Sequence, residues 1–243
     1  MKIDITIPVL NEESLIDEKI RELSLYIDEN LRDLGEFKII IADNGSDDST
    51  KNKSESLVRE VSSVELIRLE KRGVGLALKS SWTNSNADII GYMDLDLATD
   101  LKYLRPALLK LIAVDADIVT GSRLKSGAKV INRSSLRNCT SISFNRIVRI
   151  LFGTSFTDGM CGFKFLRRDV LESLLKNGAR NDGWFFATEI LIVSEFIGYR
   201  IHDLPITWTD NSDSKVKVIK LSIEYIWDMI LLKRFLKKIR GVP

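Results

Sequence analysis

Histidine is almost missing from the sequence: His202 stands alone among 243 residues. A Ser-His-Asp or Cys-His mechanism needs an imidazole in the reacting cleft, and this one alternates with Ile201 in an expected strand, so it reads as structural. Two cysteines, Cys139 and Cys161, are too few for a disulfide framework and lack metal-ligand spacing. Reduced thiols in cytosol are the expectation, and no zinc pattern is present. Long apolar runs are also lacking, since no window reaches the ~18 uncharged apolar residues of a membrane-spanning helix. The start, MKIDITIPVL, has one basic residue and an early Pro8, and reads as a first strand, not as a signal peptide. Net charge is small as well. A formal +2 excludes the overall footprint of a nucleic-acid binder and leaves only local basic clusters to explain.

What is present is an ordinary globular composition, 44% hydrophobic and 29% charged, which argues against disorder. Short β-branched runs at 3–10, 37–43, 64–69, 87–96 and 116–122 alternate with helical patterns. That order predicts βαβ units, an α/β fold whose mostly parallel central sheet carries helices on both faces. Between the first two runs, Leu15, Ile20, Leu23, Ile27, Leu31 and Leu34 make one helical face, with Asn11 as its expected cap and Gly35 as its end. After Ser122 the alternation breaks into a polar, basic excursion and a helix-like segment, 141–153. A block from Phe163 to Trp208 follows, with helices near 168–176 and 184–198 and a strand near 199–208. No repeat or linker separates these, so residues 1–213 are expected to form one domain. Residues 214–243 differ: Val218, Ile219, Ile223, Ile226, Trp227, Ile230, Leu231 and Phe235 form an apolar stripe among many lysines and arginines. This predicts a basic amphipathic helix lying on an anionic membrane, or one docking on further membrane segments or an oligomer partner.

Chemistry concentrates at strand ends. The run DIIGYMDLDLATD starts as a buried strand and ends with Asp94, Asp96 and Asp100. On a strand, Asp94 and Asp96 share one face ~6.6 Å apart. Two such carboxylates repel unless a proton or cation separates them, and a hard divalent ion, Mg²⁺ or Mn²⁺, also binds a diphosphate. A solvated strand end is the plainer reading of a lone D-x-D, but open α/β sheets bind ligands beyond the carboxyl ends of their strands. The first strand ends in Pro8, Asn11 and Glu12, the second in Asp43, Asn44, Gly45 and Ser46; either alone also fits loop and cap chemistry. Lys71, Arg72, Gly73 and Gly75 precede a helix, a place for an anion but not a dinucleotide fingerprint, since Leu78 stands at the third glycine. Arg123, Arg133, Arg137 and Lys215 are candidate partners for a second, phosphate-bearing substrate. Asp158, beside a glycine-rich turn, reads equally as a general base or a turn former.

Eight segments in order, IPVLNEE, IADNGSDDST, GVGLALKSSW, GYMDLDLATDL, DIVTGSRL, DGMCGFKFLRRDV, GWFFATEILIVSEFIGYRIHDLPITW and SDSKV, resemble the family 2 inverting glycosyltransferases of the dolichyl-phosphate mannosyltransferase type. The resemblance spans about residues 3–218. It implies a GT-A fold, a UDP- or GDP-linked sugar donor, a polyprenyl-phosphate acceptor, and a place at the cytoplasmic face of a membrane. By position, Pro8, Asn11, Glu12 and Asp43, with Asn44 and Lys71 beside them, fall in the nucleotide-sugar pocket. Asp94 and Asp96 match the metal-diphosphate site, and Arg123, Arg133, Arg137 and Lys215 match contacts to acceptor phosphate and donor diphosphate. Asp158 and Glu189 match acidic positions on the acceptor side and, with Asp96, are the catalytic candidates. Departures fall at Ala98, where relatives carry glutamine, so that water or Asp100 would replace a metal ligand. They also fall at Ala187, where relatives carry aspartate, and at Asn138 and Ile142, where an acid and a base are expected. Ala187 leaves reduced activity, an altered substrate and a deliberate replacement all open.

The expected reaction is one in-line displacement at the anomeric carbon by a lipid-phosphate oxygen, which is already anionic and needs no strong base. A soluble hydroxyl acceptor would instead require Asp158 or Glu189 as base. A catalytically silent sugar-nucleotide binder and a nucleotidyltransferase are the other readings.

Overall fold

The computed structural model describes residues 1–210 and 218–241, with side chains of the last helix from residue 224 onward. Seven strands form the main sheet: β1 (Lys2–Val9), β2 (Glu36–Asp43), β3 (Val64–Arg68), β4 (Ile89–Met93), β5 (Ile118–Ser122), β7 (Phe163–Arg167) and β8 (Ile201–Pro205). Their order is β3-β2-β1-β4-β7-β5-β8. All pairings are parallel except those of β7, which runs antiparallel between β4 and β5. Two short strands, β6 (Lys129–Ile131) and β9 (Thr207–Thr209), pair parallel as a separate ribbon.

The side-chain period of two splits the apolar residues between two cores. Ile3, Ile5, Ile7, Phe37, Ile39 and Ile41 face α1 (Ile16–Asn30), α2 (Thr50–Glu60) and α4 (Leu104–Ile112). Ile90, Tyr92, Ile118 and Leu166 face α3 (Val74–Asn84), α6 (Leu171–Lys176), α7 (Phe186–Ile197) and α8 (Val218–Ile239). Helix α5 (Ser135–Phe152) fills the basic excursion and packs on α8 through Phe144 and Tyr225, whose rings lie 5.3 Å apart.

Several expectations change. Asn11 does not cap α1, whose cap position is Leu15, without a side-chain hydrogen bond. Instead Asn11, at φ 55°, locks onto the loop after β2. Gly35 ends the 3-10 turn after α1, and a side chain there would strike the Met1 carbonyl. Strand β4 stops at Met93, so Asp94 and Asp96 lie in a turn beyond it and strand alternation does not set their relation. The last helix exists, but Tyr225, Met229, Leu232 and Leu236 are its buried face, while Ile226, Trp227 and Leu231 of the expected stripe are exposed. Thus α8 is built into the second core. Its first six side chains, Val218, Ile219 and Ile223 among them, lie outside the described side chains, as does Lys215.

Candidate active site

The carboxyl ends of β1, β2 and β4 meet on one edge of the sheet. Beyond β1, the Asn11 amide donates to Asp47 at 2.6 Å and accepts from the Asp47 N–H, and its own backbone N–H reaches the Ser46 hydroxyl. Glu12 joins the same seam through its N–H to Thr50. Asp43, fully buried at the end of β2, accepts from Ser46 N–H and from Arg68, and so organises the turn that follows. Asn44 reaches across to the Gly73 N–H and ties in the loop carrying exposed Lys71. Pro8, half-buried near the end of β1, borders this seam.

Beyond β4 the backbone turns tightly. Leu95 drops into the first core, Leu97 is held at φ 50°, and Asp96 accepts from the Ala98 N–H. A left-handed conformation at leucine is strained and needs surrounding packing to maintain it. Burial and the neighbouring Asp96 push the Asp94 carboxyl up to about 6, with Arg123 and Lys164 pulling the other way. Asp94 rests on Gly162, donating its N–H to the Gly162 carbonyl, and any β-carbon at Gly162 would overlap its carboxylate. Asp100, the expected substitute ligand, caps the next turn and pairs with Lys102. Among the described residues no group of three or more histidine, cysteine or acidic side chains forms a metal cluster. Two hard oxygen donors whose mutual repulsion one carboxyl already registers nevertheless fit Mg²⁺ or Mn²⁺, completed by water and diphosphate oxygens.

The opposite wall is cationic. Arg123, directly after β5, gives three hydrogen bonds to Asp158: from its backbone N–H, from Nε at 2.7 Å and from Nη2 at 2.9 Å. Asp158 is wholly buried and the Arg123 side chain is 8% exposed. Burial opposes charge on both, yet their pairing wins, holding Asp158 down at about 2 and raising Arg123. A carboxylate so engaged anchors an arginine and is a weak proton acceptor. Arg133 donates to Ser141, while its Nε and Nη1 are buried without a hydrogen-bond partner among the described residues. Burial and then Arg123 lower its pKa to about 10. Both guanidinium groups stack on Trp208, at 5.2 and 5.3 Å from the ring centre. Arg137 pairs with Asp210 at 2.6 Å.

Glu189 lies elsewhere on this side. Its carboxyl accepts from the Asn181 N–H in the turn that receives the start of α3, and burial pushes it up to about 7. Next to it, Thr188 donates to the Gly159 carbonyl, and buried Ala187 presents only a methyl. Three residues escaped sequence reasoning: Trp208, the wholly buried Lys164, which donates to the Cys161 carbonyl at 2.5 Å, and Gly162. The signal for β7, Phe163 and Phe165 flanking Lys164 at period two, was available in the sequence.

The model of the family described as glycosyl transferase family 2 matches residues 4–175. The chain belongs to that family. This family 2 glycosyltransferase is 28% identical over 221 residues to the glycosyltransferase AglD of Haloferax volcanii, covering 90% of itself but 35% of that protein. It is 28% identical to the dolichyl-phosphate beta-glucosyltransferase of Dictyostelium discoideum, over 95% of this chain and 73% of that one. The Saccharomyces cerevisiae enzyme of the same name is 26% identical, at 95% and 74% coverage. Relative to AglD, then, the chain spans about a third of the length. Glucosyl-3-phosphoglycerate synthase of Mycobacterium tuberculosis, solved with Mn²⁺, UDP-glucose and phosphoglyceric acid, superposes with a TM-score of 0.69 at 17% identity, over all of this chain and 80% of that one. The fold is GT-A, as the resemblance implied.

Proposed function

We propose that this glycosyltransferase moves a hexose from a nucleoside diphosphate to a polyprenyl phosphate, with inversion, using a divalent cation. The observation that carries the reading is the Arg133 guanidinium, with two buried N–H-bearing nitrogens unpartnered among the described residues beside Arg123. Those donors call for an anion, and the carboxylates that act on Arg133, Asp158 and Asp210, are already committed to Arg123 and Arg137. An acceptor that arrives as an anion suits this wall, whereas a hydroxyl acceptor would need a free base. The named activity of the Dictyostelium and yeast relatives agrees. UDP and Mn²⁺ in the M. tuberculosis structures support a nucleotide-sugar donor with metal.

In this reading the seam of Asn11, Glu12, Asp43 and Asn44 shapes the nucleoside pocket with Pro8 and Lys71 at its border. A metal held by Asp94 and Asp96 would offset charge on the departing diphosphate. Arg123, Arg133 and Arg137, with Lys215 from outside the described residues, bind and orient the acceptor phosphate. One of its oxygens attacks the anomeric carbon as the bond to the diphosphate breaks, and the nucleoside diphosphate leaves. Glu189 is assigned to hold the 180–183 turn. Membrane contact belongs to the exposed Ile226, Trp227, Ile230 and Leu231 of α8 and Leu136, Ile147 and Ile150 of α5, with Arg234, Lys237, Lys238 and Arg240 for anionic headgroups. Among the described residues no helix is long and apolar enough to cross a membrane.

The test is a screen of UDP- and GDP-sugars with a short polyprenyl phosphate and Mg²⁺ or Mn²⁺. Transfer to the lipid phosphate is expected. Asp96→Asn should abolish transfer with the fold intact by circular dichroism. Donor binding without turnover on any acceptor, or an unchanged Asp96→Asn rate, would overturn the reading.

A further inference from the structure

The ribbon strand β9 is short, yet it touches both the turn bearing Asp94 and Asp96 and the arginine wall. Its Thr207 carbonyl accepts from Asp100 N–H and its Thr209 N–H donates to Ala98, so it splints the turn that bears Asp94 and Asp96. On its other side Val130 pairs with Trp208, and Asp210 N–H donates to Ile131, which fixes the approach to Arg133. From the middle of this strand the Trp208 ring carries two guanidinium groups, Arg123 at 5.2 Å and Arg133 at 5.3 Å.

Two cations on one ring repel each other, and the position of Arg133 is not explained by ion pairing. Arg123 has Asp158, but Arg133 has only the Ser141 hydroxyl among protein partners. The ring face attracts each cation through its quadrupole, and tryptophan does so best of the side chains. Because an indole is rigid and β9 is pinned at both edges, the ring fixes the spacing of the arginines before any ligand arrives. Pre-set donors lose less freedom on binding than free ones.

We infer that Trp208 is a positioning residue for phosphate: its ring holds Arg123 and Arg133 together so that the open N–H groups of Arg133 face one phosphoryl group beside the D-x-D turn. This rests on the functional reading above only in naming the phosphate as that of a lipid acceptor. A donor diphosphate is the other source of the same chemistry.

Calorimetric titrations of the full chain, Trp208→Phe and Trp208→Leu separate these possibilities. The probes are citronellyl phosphate, inorganic phosphate, and UDP with Mn²⁺. Trp208→Leu should weaken citronellyl phosphate about tenfold, the size expected when cation–π support is lost at a partly desolvated site. Trp208→Phe should recover much of that loss, and UDP affinity should stay within about twofold in all three. In turnover the same variants should raise the acceptor KM and leave the donor KM unchanged. Equal affinity of Trp208→Leu and wild type for every probe, or a loss shared equally by UDP and phosphate, would overturn the inference, and a loss confined to UDP would overturn the lipid source and give the same arginines to the donor diphosphate. Should Trp208→Leu fail to fold, fluorinated tryptophans in the otherwise natural chain take its place. Trp208 is the tryptophan with cations on its face among the described residues. Phosphate affinity should then fall with each added fluorine, and a flat series would refute the role. If wild type binds inorganic phosphate but not citronellyl phosphate, the lipid reading fails, and Trp208 is judged on inorganic phosphate alone.

Discussion

Removing the Asp158 carboxylate should be among the costliest single changes in this protein. Asp158→Ala strands Arg123, whose side chain is 8% exposed, and removes three charge-assisted hydrogen bonds. Leaving one charge of a buried pair without its partner costs about 3–5 kcal/mol. For a chain of this size that corresponds to a fall in Tm of roughly 6–20 °C. Urea unfolding at pH 7, followed by circular dichroism, reads it directly. Asp158→Ala combined with Arg123→Leu should be less damaging than the sum of the two changes, because the stranded cation is gone. The pH dependence gives a second reading. Asp158 titrates near 2 in the folded chain against an ordinary 3.8, so its ionised form contributes about 2 kcal/mol above pH ~4, lost as pH falls toward 2. That figure is smaller than the truncation cost because it counts ionisation of Asp158 alone, not the abandoned guanidinium. The stability gap between wild type and Asp158→Asn should therefore narrow below pH 4. A cost under about 1 kcal/mol for Asp158→Ala would mean that Arg123 reaches water, and the rigid cationic wall would go with it.

Three further outcomes follow. Glu189 is held near 7 by burial against an ordinary 4.5; its contribution is full below pH ~4.5 and lost as pH rises through 7, about 3 kcal/mol in all. Glu189→Gln should flatten the stability profile between pH 4.5 and 7.5 in urea titrations, and an unchanged slope would refute the assignment. Gly162→Ala forces the Asp94 carboxylate aside, and a displacement near 1 Å should lower kcat by about 100-fold with a folded chain; near-normal turnover would separate Asp94 from the chemistry. Trp227→Glu with Leu231→Glu should abolish flotation with anionic vesicles while leaving Tm within about 3 °C, since both side chains are exposed; continued flotation would reassign that face.

Much of the fold was legible because β1 to β5 are short β-branched runs separated by amphipathic helices, a pattern with one architectural solution. Strand β7 was harder. Its five residues are enclosed by a turn and a helix start, and its antiparallel placement between β4 and β5 depends on a long-range pairing that no local pattern encodes. The same holds for the site. Asp94, Asp96 and Arg123 announce themselves by charge at strand ends, but Trp208 looks like an ordinary strand aromatic until β9 is seen between two loops. Ile226, Trp227, Ile230 and Leu231 of the stripe expected at a membrane are exposed, but the second apolar face of α8, Tyr225, Met229, Leu232 and Leu236, which meets the core, was not legible, because with apolar residues on both sides of a helix periodicity does not say which side packs inward.

The position of β7 has a consequence for how the enzyme comes into being. Strands β1 to β4 are contiguous in the chain and pair among themselves, so this half can assemble from residues 1–93 before the rest has formed. The other half joins it along the seam of β4 and β7, with α3 against the 181–186 segment and Thr99 against Trp208, all late contacts of long sequence separation and hence slow closure. Asp94 leaves one side of that seam, while Gly162 and the arginine anchor at Asp158 lead into the other. A half-folded molecule can therefore shape the seam of Asn11, Asp43 and Asn44 before the turn of Asp94 meets the arginine wall, and the two are brought together when the halves close.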